Sequence, residues 1–353
     1  MASIVTLGEA MMTFSVAGVT PLRHGSTASV SMSGSEATVA IGARRLGHEA
    51  VWISRLGSDE PGEMVRSRML GEGVAVYADR ASEPTGLMLK EHPRAHARRV
   101  QYYRAGSAAA GITANDLPVN VIENADILHS SGITAALGES AAATLIEAIR
   151  RARASKTLVS FDVNHRSKLW SAEQARATML PLLSSIDVLF ASHDEAQLLL
   201  ESASDDPVAL GTELRRLGPS GVVITRGAHG AWLVDDSGAF FAEPVATTEI
   251  DPFGAGDAFV AGYLSTLLDG GCPARALARA SLAASLAVSS EGDWEALPDR
   301  AEVEARGLRP ATAVPTAGAG TGTGAGVGVG PGAGSAGAAV NAMSAIELGA
   351  IAR

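Results

Sequence analysis

Short apolar runs that alternate with longer amphipathic stretches constrain this chain more than any other feature. Ile4 to Leu7, Ala50 to Ile53, Ile127 to His129, Leu158 to Asp162, Val188 to Ala191 and Val222 to Thr225 are each three to five residues long and apolar nearly throughout. Runs of that kind read as strands buried on both faces, as in a parallel sheet. Between them Glu36 to Leu46, Pro61 to Leu70, Ala141 to Arg153, Ala172 to Leu183 and Asp205 to Leu217 carry helical periodicity. Strand–helix alternation predicts an α/β fold, a doubly wound and mostly parallel sheet flanked by helices. Ligands of such sheets bind beyond the carboxyl ends of the strands, so the residues just after each run become the candidates for chemistry.

Two stretches interrupt this rhythm. Residues 15–33 and 85–104 are more polar and extended, and Gly86 to Lys90 and Val100 to Arg104 alternate as half-buried strands do. They predict a small β-sheet attached to the main layer, placed as a lid. The basic run Arg94, Arg98 and Arg99 within it reads as a solvated hairpin, with a phosphate clamp as the alternative. A sharp break follows near residue 310. From Pro310 to Ile346 no residue is charged, and Gly, Ala and Thr dominate. Such a segment buries too little side-chain surface to offset its ordering entropy, so residues 310–342 are expected to be disordered. Gly332, Gly334 and Gly337 there match a dinucleotide fingerprint formally, but no strand precedes them and no helix follows. Residues 343–353 are expected to form at most a short helix. The remaining unit, 1–309, is one domain.

Charge narrows the function. With 28 Lys plus Arg against 38 Asp plus Glu, the formal net charge is −10, which disfavours nucleic acid and anionic membranes as partners. A few arginines in one pocket would still hold an anionic small molecule. The single cysteine, Cys272, excludes an intramolecular disulfide and a cysteine metal cluster. His24, His48, His92 and His96 show no ligand spacing, which argues against zinc. No signal peptide or membrane span is expected, and the cytoplasm is the default compartment.

Chemistry concentrates in Asp251-Pro-Phe-Gly254-Ala255-Gly256-Asp257-Ala-Phe259, which leads into an apolar helical stretch closed by Gly270 and Gly271. Glycines at a helix start let the backbone approach a ligand, and the free N–H groups and dipole favour an anion there. Asp257 at the mouth of that helix suits the task of accepting a hydroxyl proton while the oxygen attacks a phosphoryl group. Read alone, the segment is equally an ordinary turn with an acidic N-cap. Residue for residue, however, it resembles the C-terminal signature of the PfkB, or ribokinase-like, sugar kinases. Pro252 stands where that signature usually has Thr, a variant associated with its 2-keto-3-deoxygluconate kinase branch.

The resemblance covers roughly residues 1–305 and implies an ATP-dependent kinase with Mg²⁺, a monovalent cation as a further candidate, and a homo-oligomer with lid contacts. Ser33-Gly34-Ser35-Glu36 stands where the family has Gly-Gly-x-x-x-Asn; Gly34 matches, whereas Ser33 and Thr38 depart. Thr225-Arg-Gly227-Ala-His-Gly230 resembles the nucleotide loop, though by itself it is equally a strand-to-hairpin turn. Ser192-His-Asp-Glu195 replaces Asn-x-x-Glu, in which the Glu organises Mg²⁺; by itself it is equally a solvated helix start. The candidate site is therefore Asp257, Gly254, Ala255 and Gly256 for catalysis, Ser192, Thr225, Gly227 and Gly230 for nucleotide, and Glu195 for the metal.

For the acceptor, Tyr102-Tyr103-Arg104-Ala-Gly-Ser107 and Asp162-Val-Asn164-His-Arg166, running on to Trp170, resemble 2-keto-3-deoxygluconate kinase motifs. An arginine fork grips a carboxylate at two points, so Gly34, Ser35, Tyr103, Arg104 and Arg166 are the candidates for a sugar acid. Each arginine is equally a salt-bridge partner, and Glu9 is either a sugar contact or structural. The substrate alternatives are 5-keto-2-deoxygluconate, fructose or ribose. A catalytically inactive sugar-binding protein is the alternative of another class, against which the intact Gly254-Ala-Gly-Asp257 argues.

Overall fold

The computed structural model describes residues 2–94 and 97–315. The strands in chain order are β1 (Ser3–Leu7), β2 (Met11–Val16), β3 (Ala28–Ser33), β4 (Glu49–Gly57), β5 (Ala75–Ala81), β6 (Leu87–Arg94), β7 (Ala97–Tyr103), β8 (Ile127–Ser131), β9 (Leu158–Asp162), β10 (Val188–Ser192), β11 (Gly221–Thr225), β12 (Ala231–Asp235), β13 (Gly238–Ala242) and β14 (Thr312–Val314). The helices are α1 (Ser35–Arg45), α2 (Glu60–Gly71), α3 (Gly132–Ala136), α4 (Glu139–Ser155), α5 (Ala172–Met179), α6 (His193–Leu200), α7 (Pro207–Arg215), α8 (Ala255–Leu268), α9 (Pro273–Ala287) and α10 (Arg300–Arg306).

Ten strands form one sheet in the order β14-β13-β12-β11-β10-β9-β8-β1-β4-β5. From β11 to β5 every pairing is parallel, and the last three strands on the other edge are antiparallel. The apolar runs follow from burial on both faces. Ile4, Trp52, Phe190 and Val223 point into a core layer shared with α1, α8 and α9. Their neighbours Val5, Ile53, Leu189 and Val222 point into the opposite layer, with α4 and α7. Strand side chains alternate between faces, so a strand covered on both sides is apolar at every position.

All six expected strands are present, and β9 has the expected bounds. The helix expected to run to Leu183 stops at Met179 and continues as a 3₁₀ turn, Leu180–Ser185, because Pro181 has no N–H for the i−4 carbonyl. The expected composition boundary also shifts. Thr312–Val314 pairs antiparallel with β13, so an uncharged stretch still adds an edge strand through its backbone. Beyond residue 315 the expected disordered tail and terminal helix lie outside the described residues. Among the described residues no helix is long and apolar enough to cross a membrane.

A second sheet, in the order β3-β2-β6-β7, is built from the two interrupting stretches, with its first segment beginning at Met11. Its inward face carries Thr13, Met88, Lys90 and Tyr102, since these alternate with Phe14, Leu89 and Tyr103 across paired strands. Lys90 spans to Asp293 at 3.8 Å and lies 4.0 Å above the Phe253 ring. The sheet therefore covers the segments that lead into and flank α8.

Candidate active site

α8 is apolar on all sides because it is sandwiched between sheet and helices. Phe190 of β10 meets the rings of Phe259 and Tyr263 edge-on at 6.4 and 5.2 Å, and Gly262 brings α9 into close contact. The helix start is thus held rigidly, yet no side chain caps it, so its first N–H groups are available to an anion. Gly254 at the N-cap has φ +75°, and a Cβ there would lie 2.6 Å from the Asp293 carbonyl oxygen. Only glycine meets both conditions. Around Gly256 a Cβ would meet nothing, so that side is open to a ligand.

Asp257, half-buried in the first turn, receives a hydrogen bond from Ser35 Oγ at 2.6 Å, across 222 residues of sequence. Ser35 in turn accepts from Asn164 Nδ2 at 3.0 Å. Burial, followed by the nearby Asp293 charge, pushes the Asp257 carboxyl up to about 8, while Ser35 and Arg166 pull the other way. A carboxylate so placed is a stronger base than a solvated one. Asp162, at the end of β9, is likewise raised well above the usual range, first by burial and then by Glu195 and Asp257.

These groups line one cavity of about 390 Å³ that includes Asp162, Arg166, Ser192, Glu195, Thr225 and Asp257, with Gly254 and Gly256 in its wall. Its floor follows from parallel pairing, since Ser192 sits beside Thr225 at the carboxyl ends of β10 and β11. Ser192 caps α6 in a capping box, and both Glu195 oxygens accept backbone N–H groups, from Ser192 and from His165, each at 2.7 Å. Glu195 is thereby fixed at the cavity wall, facing Asp162. This under-neutralised carboxylate pair fits a Mg²⁺ that arrives with nucleotide and keeps most of its waters. Among the described residues no group of three metal-ligating side chains converges. Gly227 and Gly230 do not line the cavity. They shape the turn after β11, where a Cβ on Gly230 would strike Phe241 and the Ala242 carbonyl.

The acceptor side brings two corrections. Tyr103 is 59% exposed on the outward face of the small sheet, because strand alternation sends its neighbour Tyr102 inward. Tyr102 lines a second cavity, about 460 Å³, with Arg104, Lys168 and Leu169. Arg104 is not a free fork. It is buried and paired with Glu9, donating from Nε at 2.6 Å, while Ser107 Oγ donates to the other Glu9 oxygen at 2.5 Å. Glu9 itself is 2% exposed, which makes the pair part of the wall. Gly34 is buried against the Glu9–Ala10 backbone, and its glycine is needed for that close approach. Arg166 is exposed and has no carboxylate within 4 Å among the described residues.

Sequence reasoning missed Asp162 and Asn164 as site groups, although Asp162 ends a core strand and Asn164 follows it, the position where ligands bind. Asn164 also holds a left-handed backbone, φ +38°, unusual for a residue other than glycine and frequent at sites. The basic run of the lid is not a solvated hairpin at Arg98. That guanidinium lines the 390 Å³ cavity and reaches Asp251 Oδ1 at 3.3 Å and the Ile250 carbonyl at 3.0 Å.

Comparison with known proteins agrees with this geometry. The chain is 36% identical over 311 residues to a 2-dehydro-3-deoxygluconokinase of Thermoproteus tenax, covering 86% of this chain and 94% of the relative. It is 32% identical to a 2-dehydro-3-deoxygalactonokinase of Haloferax volcanii, covering 87% and 97%. The crystal structure of a PfkB protein from Polaromonas superimposes with a TM-score of 0.78 at 31% identity, covering 86% of this chain and all of that one. Residues 1–300 match the model of the pfkB family carbohydrate kinases, and the chain belongs to that family, as a phosphotransferase acting on a sugar hydroxyl.

Proposed function

We propose that the chain phosphorylates a 2-keto-3-deoxy sugar acid at its terminal hydroxyl, with 2-keto-3-deoxygluconate as first choice. The observation that carries this reading is the placing of Asp257 and Arg166 in one cavity at the open start of α8. The sugar hydroxyl lies against Asp257, whose carboxylate takes its proton. The oxygen forms a bond to the γ-phosphorus, the bridging bond to ADP breaks, and ADP leaves with the electron pair. The N–H groups at the start of α8 stabilise charge on the transferring group, a preorganised contribution of about 2.7–4 kcal/mol per donor in comparable sites. Mg²⁺, when bound with ATP, neutralises phosphate charge beside Asp162 and Glu195.

Arg166 would grip the substrate carboxylate, with Gly34, Tyr102 and Lys168 completing the wall and Arg104 supporting it from its pair with Glu9. Ser192 and Thr225 flank the nucleotide, and Gly227 would let the backbone lie against it. The galactonokinase relative supports one second reading, the C4 epimer of the same acid. A monovalent cation is a further candidate, and the dependence of the rate on potassium tests it. ATP supply makes the cytoplasm the working compartment. A second copy of the chain would dock on the outward face of the small sheet, where Val30 and Tyr103 are exposed; sedimentation as a monomer would remove that assignment.

The test is ADP release with ATP and Mg²⁺ over 2-keto-3-deoxygluconate, its galactonate epimer, 5-keto-2-deoxygluconate, fructose and ribose. Preference for either 2-keto-3-deoxy acid supports the assignment. Preference for a neutral sugar would leave Asp257 in place and overturn the role of Arg166.

A further inference from the structure

We propose that Arg98 is a phosphate-contacting residue delivered by the lid: its guanidinium, held here by Asp251, passes to the transferring phosphoryl group when ATP occupies the cleft. The inference rests on the reading that Asp257 and the start of α8 are where the γ-phosphoryl group is transferred.

The argument begins with charge. The cavity is lined by the carboxylates of Asp162, Glu195 and Asp257, and among the described residues its only cationic side chains are Arg98 and Arg166. A triphosphate adds several negative charges to that wall. Arg166 belongs to the loop after β9, on the acceptor side. Arg98 comes from the lid, beside the 250–254 segment that leads into α8.

Its present contacts suit a group that moves. Arg98 comes no nearer to Asp251 than 3.3 Å, and its side chain is 28% exposed. Asp251 would not be orphaned by its departure, since the same carboxylate accepts from Phe253 N at 3.2 Å and Gly292 N at 3.5 Å. The lid does not need Arg98 as its anchor. Lys90 is held between Asp293 and the Phe253 ring, and Ser31 and Ser33 donate to Glu295 and Asp293. A planar fork freed from Asp251 matches phosphate oxygens, which carry the charge of a loose transition state.

The neighbouring Arg99 supplies the control. It lies on the outward face, 64% exposed at the side chain and paired with Glu91. Arg98→Gln, Arg98→Lys and Arg99→Gln would be prepared in the full chain. Each would be assayed for ADP release and for inhibition by ADP with fluoroaluminate, which mimics the transferring group, against ADP alone. Loss of a donor to the transferring group predicts that Arg98→Gln lowers kcat by about 10²–10³-fold and abolishes the extra affinity for fluoroaluminate. Sugar KM should change by less than about threefold, as expected for an interaction made only in the transition state. Arg98→Lys should recover part of the loss, and Arg99→Gln should behave as wild type. An Arg98→Gln enzyme with wild-type kcat would overturn the proposal, as would a change confined to sugar KM or an equal loss in Arg99→Gln. Should Arg98→Gln fail to fold, a fully active Arg98→Lys with undiminished fluoroaluminate affinity would refute the need for a fork. A wild type silent with every sugar would count against the sugar reading alone, because fluoroaluminate binding still reports on Arg98.

Discussion

Asp257→Asn should inactivate the enzyme and stabilise the protein. The folded carboxyl titrates near 8, whereas an unfolded aspartate titrates near 3.9. Between those values the folded state binds more protons than the unfolded one, so wild-type stability falls as pH rises through that window. By pH 7 the part of this window already crossed, from 3.9 upward, corresponds to about 4 kcal/mol at 1.36 kcal/mol per pH unit. Asp257 is half-buried in an open cleft, and solvent reduces this to roughly 2 kcal/mol. Asparagine removes the ionisation while its Oδ1 still accepts from Ser35. A folded unit of this size has an unfolding entropy of about 0.65 kcal/mol per degree, so Tm should rise by roughly 3 °C at pH 7. The gain should grow to about pH 8, level off above it and vanish below about pH 4. Turnover should fall by about 10²–10⁴-fold, the usual contribution of a general base. For the wild type, kcat/KM should climb with pH towards about 8 as the free enzyme's base ionises. Thermal unfolding at pH 4, 7 and 9 beside ADP-release kinetics checks all of this. A variant no more stable than wild type at pH 9 would refute the burial argument, and one with near-normal turnover would remove Asp257 as base.

Three further outcomes follow from neighbouring contacts. Ser35→Ala deletes the hydrogen bond that favours ionised Asp257, so the ascending limb of the pH–rate profile should move to higher pH and activity should recover near pH 9. Arg166→Gln should raise KM for the sugar acid by roughly 10–100-fold, the value of a charged hydrogen bond, with neutral sugars unaffected; equal losses on both would sink the carboxylate assignment. Glu9→Gln leaves buried Arg104 uncompensated and should destabilise the fold by about 3–5 kcal/mol, read by denaturant unfolding, whereas Glu9→Gln with Arg104→Met should recover much of it.

Local pattern determined a good deal by itself. An apolar strand covered on both faces has to be apolar at every position, so the parallel sheet and its order of strands and helices were legible, as was Gly254-Ala-Gly-Asp257 at a helix start. Each of these is decided by residues within one turn or one strand. What the sequence left open depends on partners far apart along the chain. Ser35 and Asp257 are 222 residues apart, and Arg104 and Glu9 are 95. No local pattern says that the second arginine fork is spent on a buried glutamate. Strand alternation showed that Tyr102 and Tyr103 face opposite ways, but only the docking of the small sheet on residues 250–254 and 291–295 decided which one faces inward. The same docking carried Arg98 out of a seemingly solvated basic run and into the cavity. Side-chain roles here are settled by which surfaces the crossover connections bring together, and that is a property of the folded chain alone.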